Sequence, residues 1–135
     1  MPVTALHHYT LRCTPDELPA LTDFYTRVLG LAPGPRPVLP APGAWLYAGG
    51  APVVHLYALA SERPADGAGT GALDHIALRG QDLADMRNHL QALGVPYTEA
   101  PVPGWPLHQI FLTDPTGLKI ELTFQLDTEN AGAAR

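Results

Sequence analysis

The sequence has little of several features that would mark particular classes of protein. It contains a single cysteine, so no internal disulfide can form and nothing demands an oxidising compartment. Charged residues make up only 16% of the chain and the net charge is −5, which argues against nucleic acid or an anionic membrane as the main partner. No apolar run approaches the roughly 18 residues of a membrane span, and the first residues lack the pattern of a signal peptide. We therefore expect a cytoplasmic protein with no nucleic-acid or membrane partner.

Common catalytic signatures are absent as well. The sequence has no glycine-rich phosphate loop, no nucleophile elbow and no CxxC pair. What it does contain is 46% apolar residues, 15 prolines and six histidines among 135 residues. This composition predicts one domain over residues 1–126 with a packed core, followed by a flexible tail over residues 127–135. Three loops are predicted: Ala32–Gly43 and Glu99–Pro106 are rich in proline, and Ser61–Gly71 is predicted to be a flexible stretch.

The order of predicted elements occurs twice. A strand is followed by a helix that begins with a capping box, Thr14 and Glu17, and ends at Gly30; two further strands flank Gly49 and Gly50. A second strand precedes a helix capped by Asp82 and closed by Gly94, and a hairpin turns at Asp114–Gly117. The repeat predicts an α+β fold of two βαβββ modules, at about residues 5–60 and 72–125.

The repeat singles out four polar positions inside predicted strands. His8 and His75 begin the two halves, 67 residues apart, and His55 aligns with Glu121, 66 residues apart. Unrelated histidines would not be expected at equivalent positions, and a carboxylate in the apolar strand around Glu121 needs a partner. Three imidazoles and a carboxylate suit a divalent transition metal, namely Zn, Ni, Fe, Co or Mn. All four ligands would leave two octahedral positions open, whereas His8, His75 and Glu121 alone form a two-histidine, one-carboxylate triad.

The paired histidines, the Asp114–Gly117 hairpin and the closing sequence Lys119–Leu122 resemble the vicinal oxygen chelate superfamily, over about residues 5–125. This superfamily includes glyoxalase I, extradiol dioxygenases and antibiotic-resistance proteins. The resemblance implies paired βαβββ modules that form a curved mixed sheet, with a metal in its cleft. It also implies that His8, His75 and Glu121 match the shared ligand positions. His55 matches a fourth position, where histidine departs from the glutamate or glutamine of glyoxalase I.

Other residues are assigned from spacing. If the hairpin turn has four residues, Ile110 lies opposite Glu121, and His108 then shares the metal face. There it would support a metal ligand or transfer a proton; the alternative is a histidine that only makes an ordinary hydrogen bond. Arg12 follows His8 by four residues on the same strand face and is a candidate for binding a substrate anion. Trp105, in a proline-bounded loop, either closes over a ligand or packs on the surface. Trp45 is expected in the core beneath a helix.

These features predict a metal-dependent, glyoxalase-like lyase or isomerase whose small substrate chelates the metal through two adjacent oxygens. Glu121 would move the proton, with His108 as the alternative base. An Fe(II) extradiol dioxygenase, a fosfomycin-resistance-like thiol transferase and a non-catalytic antibiotic-binding protein remain alternatives. Open sheet edges in modules of this size, and the resemblance itself, favour a homodimer.

Overall fold

The computed structural model describes residues 5–58 and 75–127, and the chain divides into two compact units, Met1–Gly67 and Ala68–Arg135. The predicted loop at Ser61–Gly71 and residues 128–135 of the predicted tail lie outside the described residues. Each unit contains a four-stranded mixed sheet and helical structure, which confirms the predicted α+β fold with two similar modules. Within the described ranges, no helix is long and apolar enough to cross a membrane.

The first unit has the strand order β1-β4-β3-β2, with β1 parallel to β4 and the other neighbours antiparallel. Its elements are β1 (Tyr9–Arg12), α1 (Leu18–Asp23), a π-helical continuation (Phe24–Val28), β2 (Ala32–Gly34), β3 (Gly43–Ala48) and β4 (Ala51–Tyr57). The predicted capping box is present: the Glu17 carboxylate accepts from the Thr14 amide at 2.9 Å, and the Glu17 amide donates to the Thr14 hydroxyl at 3.2 Å. Leu21 and Tyr25 on the helical segment and Leu46 and Val54 on the sheet are fully buried, so one sheet face forms the core.

The second unit repeats this plan with the strand order β5-β8-β7-β6. Its elements are β5 (His75–Arg79), α2 (Leu83–Leu93), β6 (Thr98–Pro101), β7 (Leu107–Thr113) and β8 (Lys119–Gln125). Asp82 caps α2 by accepting from the Asp85 amide at 3.1 Å, and Gly94 ends the helix in the left-handed conformation, as predicted. Part of the expected loop at Glu99–Pro106 is instead the edge strand β6, a position at which a sheet tolerates proline.

The hairpin between β7 and β8 is present, but its predicted register is wrong by one residue. The connection has five residues, because the Asp114 amide donates to the Leu118 carbonyl at 2.9 Å and Thr113 pairs with Lys119. The buried Asp114 carboxylate stabilises the turn by accepting from the Thr116 hydroxyl and from the amides of Thr116 and Leu118. Phe111, not Ile110, therefore lies opposite Glu121.

Candidate functional site

His75 and Glu121 lie side by side in the second unit. Strands β5 and β8 are parallel neighbours with Ala77 opposite Glu121, so His75, two residues before Ala77, shares the face of Glu121. The Nε2 atom of His75 is 3.5 Å from the Oε1 atom of Glu121. Glu121 is only 8% exposed on a strand whose opposite face is core, while His75 remains partly accessible. A nearly buried carboxylate thus meets a partly accessible imidazole.

Thr123 was not identified as a site residue from the sequence. Its hydroxyl donates to Oε2 of Glu121, the oxygen that does not face His75. This contact fixes the carboxylate plane and leaves Oε1 directed toward the imidazole. The sequence could have identified Thr123, because it follows Glu121 by two residues and strand alternation places both side chains on one face.

The first unit brings together the equivalent pair, His8 and His55. His8 immediately precedes β1, and Thr10 on that strand lies opposite His55 on β4, so the two histidines share a sheet face. Their rings stack with centroids 3.9 Å apart and planes inclined by 14°. The Nδ1 atom of His8 is 2.9 Å from Nδ1 of His7, and when His8 donates this proton its Nε2 is free to bind a metal.

His55 is buried, and its ring is fixed by two contacts. Its Nε2 atom lies 3.0 Å from the Pro52 carbonyl; because a carbonyl can only accept, Nε2 carries the proton. Burial lowers the pKa of His55 below its usual value, the neighbouring His8 lowers it further, and the bond to Pro52 opposes this shift. The neutral form with a proton on Nε2 is therefore favoured at neutral pH.

Trp45 provides the second contact, and its expected position in the core under a helix is wrong. Trp45 lies opposite His55 in the antiparallel β3–β4 pair, so its indole lies on the histidine face rather than the core face. The indole stacks on His55 with centroids 3.9 Å apart and planes inclined by 9°. Pairing the strands outward from the Gly49–Gly50 turn would place Trp45 opposite Val54; a register shift between Leu46 and Tyr47 moves it opposite His55, and the sequence pattern does not show that shift.

The two pairs differ in how well they fit a metal. His75 Nε2 and Glu121 Oε1 are 3.5 Å apart, close to the separation of two atoms that bind one ion at about 2.1 Å each. His8 also offers a suitable nitrogen. His55 fits less well, because a metal lies near the plane of each imidazole that binds it and nearly parallel planes have no nearby common point. Among residues 5–58 and 75–127, no three histidine, cysteine or acidic side chains form a cluster that could hold a metal.

The placement of His108 on the metal face is wrong. With Phe111 opposite Glu121, His108 pairs with Phe124 and lies on the other face of the sheet. There its Nε2 is 2.8 Å from Oε1 of Glu99 on β6, and Glu99 also binds the guanidinium of Arg87 on α2 at 2.6 Å. His108 therefore belongs to a polar network under the helix, which removes the geometric basis for a role beside Glu121.

The candidate substrate residues are exposed. Strand alternation places Arg12 on the face of His8 and His55, where its side chain is accessible. Arg79 is its exposed counterpart on the face of His75. Trp105 is 69% exposed in the loop before β7, and its amide donates to the Val102 carbonyl at 3.1 Å. These observations do not identify a ligand for Arg12, Arg79 or Trp105.

A groove of about 400 Å³ lies within the second unit, and neither His75 nor Glu121 is among the residues that line it. Its wall includes Val95, Tyr97, Thr98, Phe111, Thr113 and Lys119. Phe111 is the cross-strand partner of Glu121, and Lys119 is the partner of His75. The Lys119 ammonium lies 5.6 Å from the centre of the Phe111 ring. The volume suits a small organic molecule.

Two mixed-sheet modules of the βαβββ type, each with a pair of potential metal ligands on one sheet face, define a class of small metal-binding enzymes and their binding-protein relatives. Residues 5–122 match the model of the Glyoxalase/Bleomycin resistance protein/Dioxygenase superfamily. The chain belongs to this superfamily, which is the one that the sequence resembles. A search of curated protein sequences finds no match.

Several solved structures share the fold at low sequence identity. A lactoylglutathione lyase from Agrobacterium tumefaciens is 20% identical, with a TM-score of 0.67 over 92% of this chain and 96% of that one. An antibiotic-binding protein from Streptomyces sp. CB03234 is 22% identical, with a TM-score of 0.67 over 93% and 98%. The fosfomycin resistance protein FosX from Listeria monocytogenes is 18% identical, with a TM-score of 0.65 over 94% and 98%. At these identities the likeness establishes the fold alone.

Proposed function

We propose that this protein is a metal-dependent lyase or isomerase whose small substrate binds the metal through two adjacent oxygens. The observation that carries the proposal is the contact between His75 and Glu121 on one sheet face, with Thr123 fixing the carboxylate. We assign His8, His75 and Glu121 as ligands of a divalent metal from the group Zn, Ni, Fe, Co and Mn. His8 joins the set because it holds the position in the first unit that His75 holds in the second.

The bound metal would act as a Lewis acid that stabilises negative charge on the substrate oxygens. The protein's own contribution is proton movement and orientation. Glu121 is the proposed site of proton uptake from a carbon next to the substrate oxygens, through a carboxylate lone pair that the metal would not use, while the Thr123 hydroxyl holds Oε2 in place. The groove beside Phe111 would receive the apolar part of the substrate, and Arg12 is proposed to bind an anionic group.

A second candidate function is extradiol cleavage by an Fe(II) dioxygenase. The stack of His8 on His55 favours it, because that arrangement does not present both imidazoles to one ion. Three protein ligands leave three octahedral positions, enough for a bidentate catechol and dioxygen together. A thiol transferase and a non-catalytic binding protein are further alternatives, and a fosfomycin resistance protein and an antibiotic-binding protein are among the solved structures that share the fold.

The reaction classes can be separated with one panel of assays on metal-loaded protein. We expect α-hydroxyketones and thiohemiacetals in deuterated water to exchange a carbon-bound proton, detected by NMR, without oxygen uptake. Protein stripped of metal with a chelator is the control and should not catalyse exchange. Oxygen consumption with catechol would instead support the dioxygenase. Tight binding of small molecules with neither reaction would replace the enzyme proposal with a binding protein.

A further inference from the structure

Three aromatic rings form a continuous stack on the histidine face of the first unit. Trp45 lies on one side of His55 and His8 on the other, each with a ring-centroid distance of 3.9 Å. The planes are inclined by 9° and 14°, so all three rings are close to parallel. His55 is therefore covered on both ring faces, which leaves two ring orientations, related by a half-turn about the Cβ–Cγ bond.

The hydrogen bond to Pro52 selects one orientation of the His55 ring. A bond of 3.0 Å from Nε2 of His55 to the carbonyl fixes the ring's angle and its tautomer. Pro52 and His55 both belong to β4, so the anchor is part of the sheet. For His55 to bind the same ion as His8, the imidazole would have to leave the stack or tilt strongly out of it.

We propose that His55 is a positioning residue rather than a fourth metal ligand, and that Trp45 holds it in place. His55 presents a flat surface against which the His8 ring rests, so that His8 keeps the orientation needed to bind the metal. This inference rests on the proposed function, because it assumes that His8 is a ligand. Without His55 as a ligand, the metal would have three coordination positions free. Support for the lyase then comes from Glu121 as the base and not from a fourth protein ligand.

The most direct test follows the histidine nitrogens by NMR in wild-type protein before and after addition of zinc. We expect the ring nitrogens of His8 and His75 to shift on zinc binding. His55 should keep a protonated Nε2 and show no shift typical of ligation at Nδ1. A ligation shift at His55 would overturn this inference alone. Failure of the wild-type protein to bind any divalent metal would overturn the proposed function and the inference together.

Variants separate ring packing from ligation. His55→Phe keeps a flat ring without nitrogen donors and should bind cobalt with an unchanged visible spectrum, whereas His8→Phe should lose binding. Trp45→Leu should weaken cobalt binding by roughly 10-fold, in the range found for groups that support metal ligands, and Trp45→Phe should restore most of it. Loss of cobalt binding in His55→Phe equal to that in His8→Phe, with both variants folded by circular dichroism, would contradict the inference. So would wild-type affinity in Trp45→Leu.

Discussion

At the scale of single residues, the charged network under α2 links three elements of the second unit. Glu99 on β6 accepts from Arg87 on α2 and from His108 on β7, so one carboxylate connects the helix to two strands. The Arg87 guanidinium holds the pKa of Glu99 below its usual value of 4.5, burial opposes this effect, and His108 adds to the lowering. The network has a structural role on the face opposite to Glu121.

Replacement of Glu99 tests this role through its pH dependence. A depressed carboxyl pKa stabilises the folded state above the unfolded-state pKa, and the stabilisation is lost as the pH falls through the folded-state value. We expect Glu99→Gln to lower the free energy of unfolding at pH 7 by about 0.5–1 kcal/mol, since the network is partly exposed. The difference from wild type should shrink as the pH falls below 4.5. Urea unfolding across this range measures it.

Asp23→Asn offers the matched control. Its carboxylate pairs with Arg27 at 3.1 Å, but both side chains are more than half exposed and join neighbouring turns of one helical segment. Its effect on the unfolding free energy should be smaller than that of Glu99→Gln. An equal effect, or a Glu99→Gln difference that does not change with pH, would show that Glu99 does not connect these elements through its charge.

At the scale of elements, the repeated order of strands and helices could be predicted because local signals agree with it. The first helical segment begins at a capping box formed by Thr14 and Glu17. Helix α2 begins at Asp82 and ends at Gly94. The sequence pattern encodes these contacts directly. The proximity of His75 and Glu121 could also be predicted from the sequence, because the two halves align and parallel strands place these residues on one face.

The hairpin at Asp114 shows where such prediction fails. Sequence identifies the turn but does not fix whether four or five residues are excluded from pairing, because the contacts of the Asp114 carboxylate decide this in three dimensions. A change of one residue moves every side chain of a strand to the other sheet face. His108 was misplaced for this reason, and Trp45 was misplaced because an aromatic residue was assumed to be core. Ring stacking and tautomers depend on side-chain geometry that periodicity does not contain.

At the scale of the whole molecule, one supersecondary plan occurs twice, and each copy carries a pair of polar side chains on one sheet face, His8 with His55 and His75 with Glu121. Considered separately, the first sheet has β1 and β2 as edge strands and the second has β5 and β6. Edge strands expose unpaired amides and carbonyls, which favour association with another chain. The apolar side chains of Leu6 and Val38 are also exposed in the first unit.

We propose a homodimer on this basis. Light scattering at micromolar concentration should give twice the mass of the chain, and the mass should stay constant on dilution through the assay range. Measurement in both the metal-free and the metal-loaded states would reveal any dependence on the ion. A mass equal to one chain in both states would contradict the proposal.

Elemental analysis of purified protein shows whether Glu121 is a ligand of the proposed metal. Wild-type protein exposed to zinc or cobalt and then desalted should retain about one ion per chain. Glu121→Ala should lose it, while Glu99→Gln, which removes a carboxylate on the opposite sheet face, should keep it. Glu121→Ala protein that is folded and loaded to the wild-type level would show that Glu121 is not a metal ligand.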